Sequence, residues 1–230
     1  MTDSVNWVAF FEPRGFIVRR LYFPENGGPN VKSTLIFALF LAQAATGGWL
    51  DLFDGKTMKG WSPVGSAVWE VKDGTLSANP SAQPQLAAAD GKAVTASGFL
   101  QSDRAYGDFD LTAEFRGEPN TNSGIFIRCS AGQAISQNSC YEVNISDNHA
   151  THPTGSIVGM HTTLPNRIAS AGKWSSMEIS ARGPHIVVKV DGTIVLDVQD
   201  QKFTTGAIAL QAGGPNGPGP IQFRQVRIRS

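Results

Sequence analysis

Two stretches carry the residue types from which chemistry could be built. One is Asn120-Thr121-Asn122-Ser123-Gly124-Ile125-Phe126-Ile127-Arg128, and the other is Tyr141-Glu142-Val143-Asn144-Ile145-Ser146-Asp147. Read as strands Gly124 to Cys129 and Cys140 to Ser146, they form a pair. In the second strand Tyr141, Val143 and Ile145 share the face expected to be core, so Glu142 and Asn144 share the other, roughly 7 Å apart by strand geometry. A carboxylate on the open side of a sheet is placed for proton transfer. Asp147 has the wrong parity to join it unless a β-bulge intervenes or the strand has already ended, and bulges are frequent beside active sites. His149, His152 and His161 follow Asp147 closely. A carboxylate with two imidazoles could hold a divalent metal, with Asp147, His149 and His152 as candidate ligands, whereas loop histidines otherwise are simply solvated.

Cys129 and Cys140 are the only cysteines, and they end one strand and begin the next. Exported protein would oxidise them to a disulfide, and reduced protein would hold two free thiols; the CxxC spacing of a metal site is absent. Closing a loop this size contributes about 3 kcal/mol in the chain-entropy model. Direct pairing of the cysteines sets Ile127, not Arg128, opposite Glu142. A one-residue slip or bulge is needed to bring Arg128 beside Glu142, where the two could also form nothing more than a cross-strand salt bridge.

The elements that must position these residues are strands. From Gly48 onward the chain reads as short alternating segments between turn residues, with 25 Gly and 13 Pro in 230 residues. Asp73-Gly74 and Asp191-Gly192 supply the positive φ angles of two-residue hairpin turns. Further strands are expected at 99–102, 109–116, 156–161, 174–181, 207–211 and 222–229. The last has a one-residue slip at Gln225 and arginines on a solvated outer face. About ten strands and almost no helix predict an all-β, two-sheet antiparallel sandwich. With 19 Lys+Arg against 19 Asp+Glu and a hydrophobic content of 41%, no basic field would gather nucleic acid or an anionic membrane.

The first 45 residues read differently. Residues 1–30 form an extension without helical or alternating period. Lys32, the apolar run Leu35 to Ala42 and the small residues of Ala42-Gln43-Ala44 then make a secretory signal pattern over 31–45, cut between Ala44 and Gly48. A membrane anchor is the alternative, but a span needs about 20 apolar residues. Export to the periplasm or the extracellular space is expected, with no stable membrane span after cleavage and one domain over 46–230.

Leu52-Phe53-Asp54-Gly55-Lys56, Gly60-Trp61, Asn122-Ser123-Gly124-Ile125 with Arg128, Tyr141-Glu142-Val143 with Asp147, Thr154-Gly155-Ser156-Ile157 and the closing Phe223-Arg224-Gln225-Val226-Arg227-Ile228 together resemble the 3-keto-disaccharide hydrolase domain family, from about Trp49 to Ser230. The resemblance implies a jelly roll of the concanavalin A-like lectin/glucanase type, and bacterial enzymes that cleave glycosides oxidised to a ketone at sugar carbon 3 or hydrate the resulting glycal. Residues 142–147 also look like the bulged E-x-D-x-x-E strand of laminarinase-type glycosidases, with Asn144 in place of the central Asp. A retaining glycosidase needs two carboxyls about 5 to 5.5 Å apart, so the Asn argues against ordinary hydrolysis. A 3-keto sugar instead needs a base for the proton on carbon 2, an acid for the departing oxygen and a donor for the enolate. On the resemblance, Glu142 is the base, Asp147 the acid or a metal ligand, and Arg128 the enolate or substrate partner. Asn122 and Asn144 orient sugar hydroxyls, the latter where the family more often carries Gln, and Trp61, Trp69 and Trp174 match framework positions of the family, core rather than sugar platforms. A non-catalytic carbohydrate-binding module and a laminin-G-like interaction domain are the competing readings.

Overall fold

The structure, a computed structural model, describes residues 7–12, 15–20, 48–65, 67–78, 86–87, 93–94, 98–163, 167–213 and 219–230. The chain divides into two compact units, Met1–Ala44 and Ala45–Ser230. In the first, β1 (Trp7–Glu12) and β2 (Gly15–Arg20) pair as an antiparallel hairpin. The sequence there has no clean alternation, and the strand preference of its Val, Ile and Phe residues is the signal that remained. The expected signal segment, 31–45, lies outside the described residues.

The second unit contains β3 (Leu50–Asp51), β4 (Trp61–Gly65), β5 (Trp69–Lys72), β6 (Thr75–Ala78), β7 (Leu86–Ala87), β8 (Ala93–Val94), β9 (Gly98–Tyr106), β10 (Phe109–Gly117), β11 (Ser123–Cys129), β12 (Tyr141–Ile145), β13 (Ser175–Arg182), β14 (His185–Val190), β15 (Thr193–Gln199), β16 (Gly206–Gln211) and β17 (Ile221–Arg229). Apart from the small β7–β8 pair they form two antiparallel sheets. The back sheet runs β15-β14-β13-β10-β17-β6-β5, with β3 also on β17, and the front sheet runs β12-β11-β16-β9-β4. This is a jelly-roll sandwich, and no helix occurs among the described residues.

Strand alternation explains the core. In β10, Phe109, Leu111, Ala113 and Phe115 are buried, and the residues between them are more exposed. They meet Ile125, Ile127, Tyr141, Val143, Ile208 and Leu210 from the front sheet in one apolar cluster. Asp73-Gly74, with φ of 49° and 75°, and Asp191-Gly192, with φ of 48° and 76°, close two hairpins in the left-handed conformation that a type I′ turn requires.

Three local expectations change. Gln225 takes φ 51° and β17 shifts register there, but its arginines are engaged rather than merely solvated. Arg224 bonds Glu114 and lies 4.1 Å from the Trp174 ring centroid, and Arg182 and Arg229 meet Asp110 at 2.8 and 2.7 Å. Burial alone would raise the Asp110 carboxyl, but these two guanidinium groups outweigh it and hold it at about 2. Trp174 thus stacks on the outer face of the back sheet, while Trp61 and Trp69 are buried. Segment 156–161 is not a strand. Positive φ at Gly155 and Gly159 folds it into a tight turn in which Ile157 bridges both Val143 and His161.

Candidate active site

The outer face of the front sheet carries three rungs across β12 and β11. Phe126 pairs with Glu142, Gly124 with Asn144, and continuing the register sets Asn122 beside Ser146. Beyond β11, the first rung runs through Ala209 on β16 and Gln101 on β9 to Ser62 on β4. One carboxylate, Glu142, stands among neutral residues on this rung. Phe126 packs there with Phe99, Ala207 and Ala209.

Glu142 makes no hydrogen bond or ion pair among the described residues, and burial pushes its carboxyl up from 4.5 to about 7. Apolar surroundings disfavour the charged form, and no cation among the described residues opposes them. Gly124 stands across from Asn144 on the next rung, where a Cβ would lie 3.1 Å from the Val143 carbonyl oxygen and 3.4 Å from Glu142 Cγ, so the glycine lets β11 lie close against β12. A carboxyl titrating near neutrality suits a general base.

Arg128 is not beside Glu142. The slip between the cysteines and the strand interior runs opposite to the one that would have joined them, and it sets Phe126 against Glu142. Arg128 sits in the resulting bulge with φ 53°, and its side chain is fully buried. It donates to the carbonyls of Gly107, Gly183 and Phe203 at 3.0, 2.8 and 3.2 Å, and to Asp108 at 3.3 Å. Three loops are clamped there, and the Arg128 guanidinium is spent on them rather than turned to Glu142. Gly206 faces the bulge because a Cβ would lie 2.1 Å from the Cys129 carbonyl oxygen. Cys129 and Cys140 are disulfide-bonded, with Cα atoms 4.3 Å apart.

Asp147 is also spent locally. Its Oδ1 accepts from the Thr154 and Ser170 hydroxyls, and its Oδ2 from the backbone N–H groups of Ser170 and Ala171. Burial would raise this carboxyl, but those four bonds outweigh it and hold it below the ordinary range. With both oxygens filled, Asp147 has no direction left for a metal or for a leaving group. His149 Nδ1 accepts from the backbone of Thr151 and His152, and His152 Nδ1 meets the Thr151 hydroxyl. The donor set Asp147, His149 and His152 therefore does not fit a divalent cation, and among the described residues no group of three or more His, Cys, Asp and Glu converges. His161 lies elsewhere, 2.9 Å from Asp200, which also accepts from the Tyr141 hydroxyl at 2.6 Å.

Asn144 is on the face expected of it, fully buried, with Nδ2 donating to the His152 carbonyl. Asn122 lies two rungs from Glu142, about 13 Å along the strand. It lines a separate cleft of about 560 Å³ with Asn120, Ser146, Asn148 and His149. Sequence reasoning missed the close strand approach at Gly124 and the place of Gln211 on the neighbouring rung. A glycine inside an alternating strand was the available sign for the first; parity within β16 was the sign for the second.

A family model described as the 3-keto-alpha-glucoside-1,2-lyase-like domain matches residues 48–229. Among solved structures, a candidate glycosyl hydrolase from Parabacteroides distasonis superposes with TM-score 0.63 at 17% identity, over 79% of this chain and 93% of that one. A second candidate glycosyl hydrolase from the same organism gives 0.61 at 22% identity, over 80% and 99%. A carbohydrate binding module from Bacillus subtilis gives 0.52 at 14% identity, over 76% and 98%. At these identities the structures share the fold with this chain. No curated protein matches it.

Proposed function

The chain belongs to the 3-keto-alpha-glucoside-1,2-lyase-like domain family, also called the 3-keto-disaccharide hydrolase family, and from that premise we propose that it is an exported enzyme cleaving 3-keto glycosides, with Glu142 as its general base. The carrying observation is Glu142 itself: a partly buried carboxyl on the outer face of the front sheet, without a hydrogen-bond partner among the described residues and raised to about 7.

A ketone at sugar carbon 3 acidifies the hydrogen on carbon 2. Glu142 takes that proton, and the C2–H electron pair becomes an enolate. The enolate collapses to a C1=C2 double bond as the C1–O bond breaks, and the departing oxygen takes up a proton. No oxidant, reductant or water is consumed, and addition of water to the product would complete a net hydrolysis. Ordinary retaining hydrolysis needs a second carboxyl about 5 to 5.5 Å away. Among the described residues of the Glu142, Asn144 and Asn122 rungs none is present, which supports elimination.

Purified protein is to be incubated with a 3-keto glucoside and with its unoxidised parent, and enone formation followed by absorbance. The expected result is turnover of the oxidised sugar alone, reduced about 10² to 10⁴-fold in Glu142→Gln, the range for loss of a general base. Equal cleavage of both sugars, or a fully active Glu142→Gln protein, contradicts the proposal. Saturable binding without turnover would instead favour the carbohydrate-binding module.

A further inference from the structure

On the sheet opposite Glu142, the register lines up one polar residue from each of four neighbouring strands. Glu70 on β5 pairs with Ser77 on β6, Ser77 with Gln222 on β17, and Gln222 with Arg116 on β10. The adjacent rung of Val71, Leu76, Phe223 and Phe115 turns into the core, so these four turn outward. Strand spacing makes the row about 14 Å long, with a carboxylate at one end and a guanidinium at the other. It borders a cavity of about 450 Å³, which Val68, Glu118, Pro220 and Ile221 also line. The Thr121 hydroxyl fixes two of these, donating to the Pro220 carbonyl at 2.9 Å and accepting from the Glu118 N–H at 2.8 Å. Other arginines of this face are neutralised: Arg182 and Arg229 by Asp110, Arg224 by Glu114 and Arg227 by Asp51. Among the described residues the side chains of Arg116, Glu70 and Glu118 make no ion pair, and within the row only Gln222 Nε2 and Ser77 Oγ meet, at 3.4 Å. Charges paired on the rest of the face are thus left unengaged around its cavity.

We propose that this cavity is a second carbohydrate site, which grips a neutral saccharide on the back sheet without turning it over. Sugar hydroxyls both donate and accept, and the row answers each role: Glu70 accepts, Arg116 donates, and Ser77 and Gln222 do both. The two ends give charge-assisted hydrogen bonds, the stronger kind. Val68, 59% exposed, and Pro220 offer apolar surface to the C–H face of a ring. Two carboxylates against one guanidinium leave the lining with a negative balance, which repels phosphate and acidic sugars. The volume lies within the range of small-molecule sites, about 300 to 1,000 Å³, and a row of this length suits two sugar units rather than one. The site lies on the other sheet from Glu142, so it stands or falls apart from the lyase chemistry.

The test is calorimetric titration of the Glu142→Gln protein with cellobiose, laminaribiose and maltose, neutral disaccharides of different linkage, and with glucuronate and inorganic phosphate. Saturable binding of at least one disaccharide is expected, tighter than that of either anion. Adding Arg116→Met, which keeps the stem and removes the donors, should weaken it about tenfold, the worth of a hydrogen bond to a charged group. The thermal midpoint should stay level, because Arg116 has no partner to lose among the described residues. A merely structural arginine would lower the midpoint and leave affinity alone. Glu70→Gln, at the far end of the row, should also weaken binding. Failure of all three disaccharides to bind overturns the site, as does tighter binding of glucuronate or phosphate. Affinity within twofold in both variants places the sugar elsewhere and overturns it too. Enone assays on the protein with Glu142 intact separate this from the proposed function. Disaccharide binding that Arg116→Met weakens, with no enone formed, leaves this site and removes the lyase. Enone formation beside disaccharide binding that neither variant changes leaves the lyase and removes this site.

Discussion

At the scale of the residue, Glu142 and Asp147 show one side chain type driven in opposite directions. Glu142 has burial without a partner, and its folded value near 7 lies above the unfolded 4.5. The protonated form is favoured in the folded protein, so the contribution to stability is greatest below about 4.5, declines between about 4.5 and 7, and is lost above. The difference amounts to roughly 3 kcal/mol. Thermal unfolding should therefore show Glu142→Gln more stable than the parent at pH 8, with most of that advantage gone at pH 5. An equal gap at both values would mean that the carboxylate is not desolvated. The same titration should give kcat/KM an acid limb near pH 7, because only the ionised form accepts a proton.

At the scale of the element, the end of β12 is tied to segment 167–171 by Asp147, and the bulge in β11 is tied to three loops by Arg128. These residues set the frame around the front face rather than act on it. Asp147→Asn would turn amide hydrogens toward the donors of Ser170 and Ala171 and should cost about 1 to 3 kcal/mol at pH 7. Its carboxyl lies below the ordinary 3.8 in the folded protein, so its stabilisation is present above that value and is lost as pH falls through the folded one. The difference in thermal midpoint between the two proteins should therefore narrow on acidification. An Asp147→Asn protein as stable as the parent at pH 7, but with slower turnover, would return Asp147 to the chemistry.

At the scale of the whole molecule, the outer face of the front sheet carries Glu142 among uncharged residues of its own rung, while the back sheet's outer face is crossed by ion pairs and by arginines lying over Trp174 and Trp49. The proposed chemistry is therefore placed on the front. Export is proposed from the apolar run and the small residues after it, which predicts a mature N-terminus between Ala44 and Gly48. N-terminal sequencing of protein recovered from outside the cytoplasm is the measurement. Retention of Met1 on a membrane-bound product contradicts it.

The sequence by itself determined the all-β class, the hairpins at Asp73-Gly74 and Asp191-Gly192 and the inward and outward faces of β12. Those are local properties: side chains alternate along any strand, and an Asp-Gly pair between two strands readily takes the positive φ of a two-residue hairpin turn. The family followed from motif order over most of the chain. Tertiary structure alone decided which polar residues face one another. A single extra residue at Arg128 shifted the register, turned a guanidinium away from Glu142 and placed Phe126 there instead. Asp147 could join Glu142 only through a bulge or past the strand's end, and its partners Ser170 and Ala171 are more than twenty residues downstream and brought to it by the fold. Gln211 reaches the Glu142 neighbourhood only because β16 pairs with β11, a contact between strands about eighty residues apart. Register and strand order are non-local sums of many pairings, so a one-residue slip that is invisible in composition or alternation reassigns every side chain beyond it.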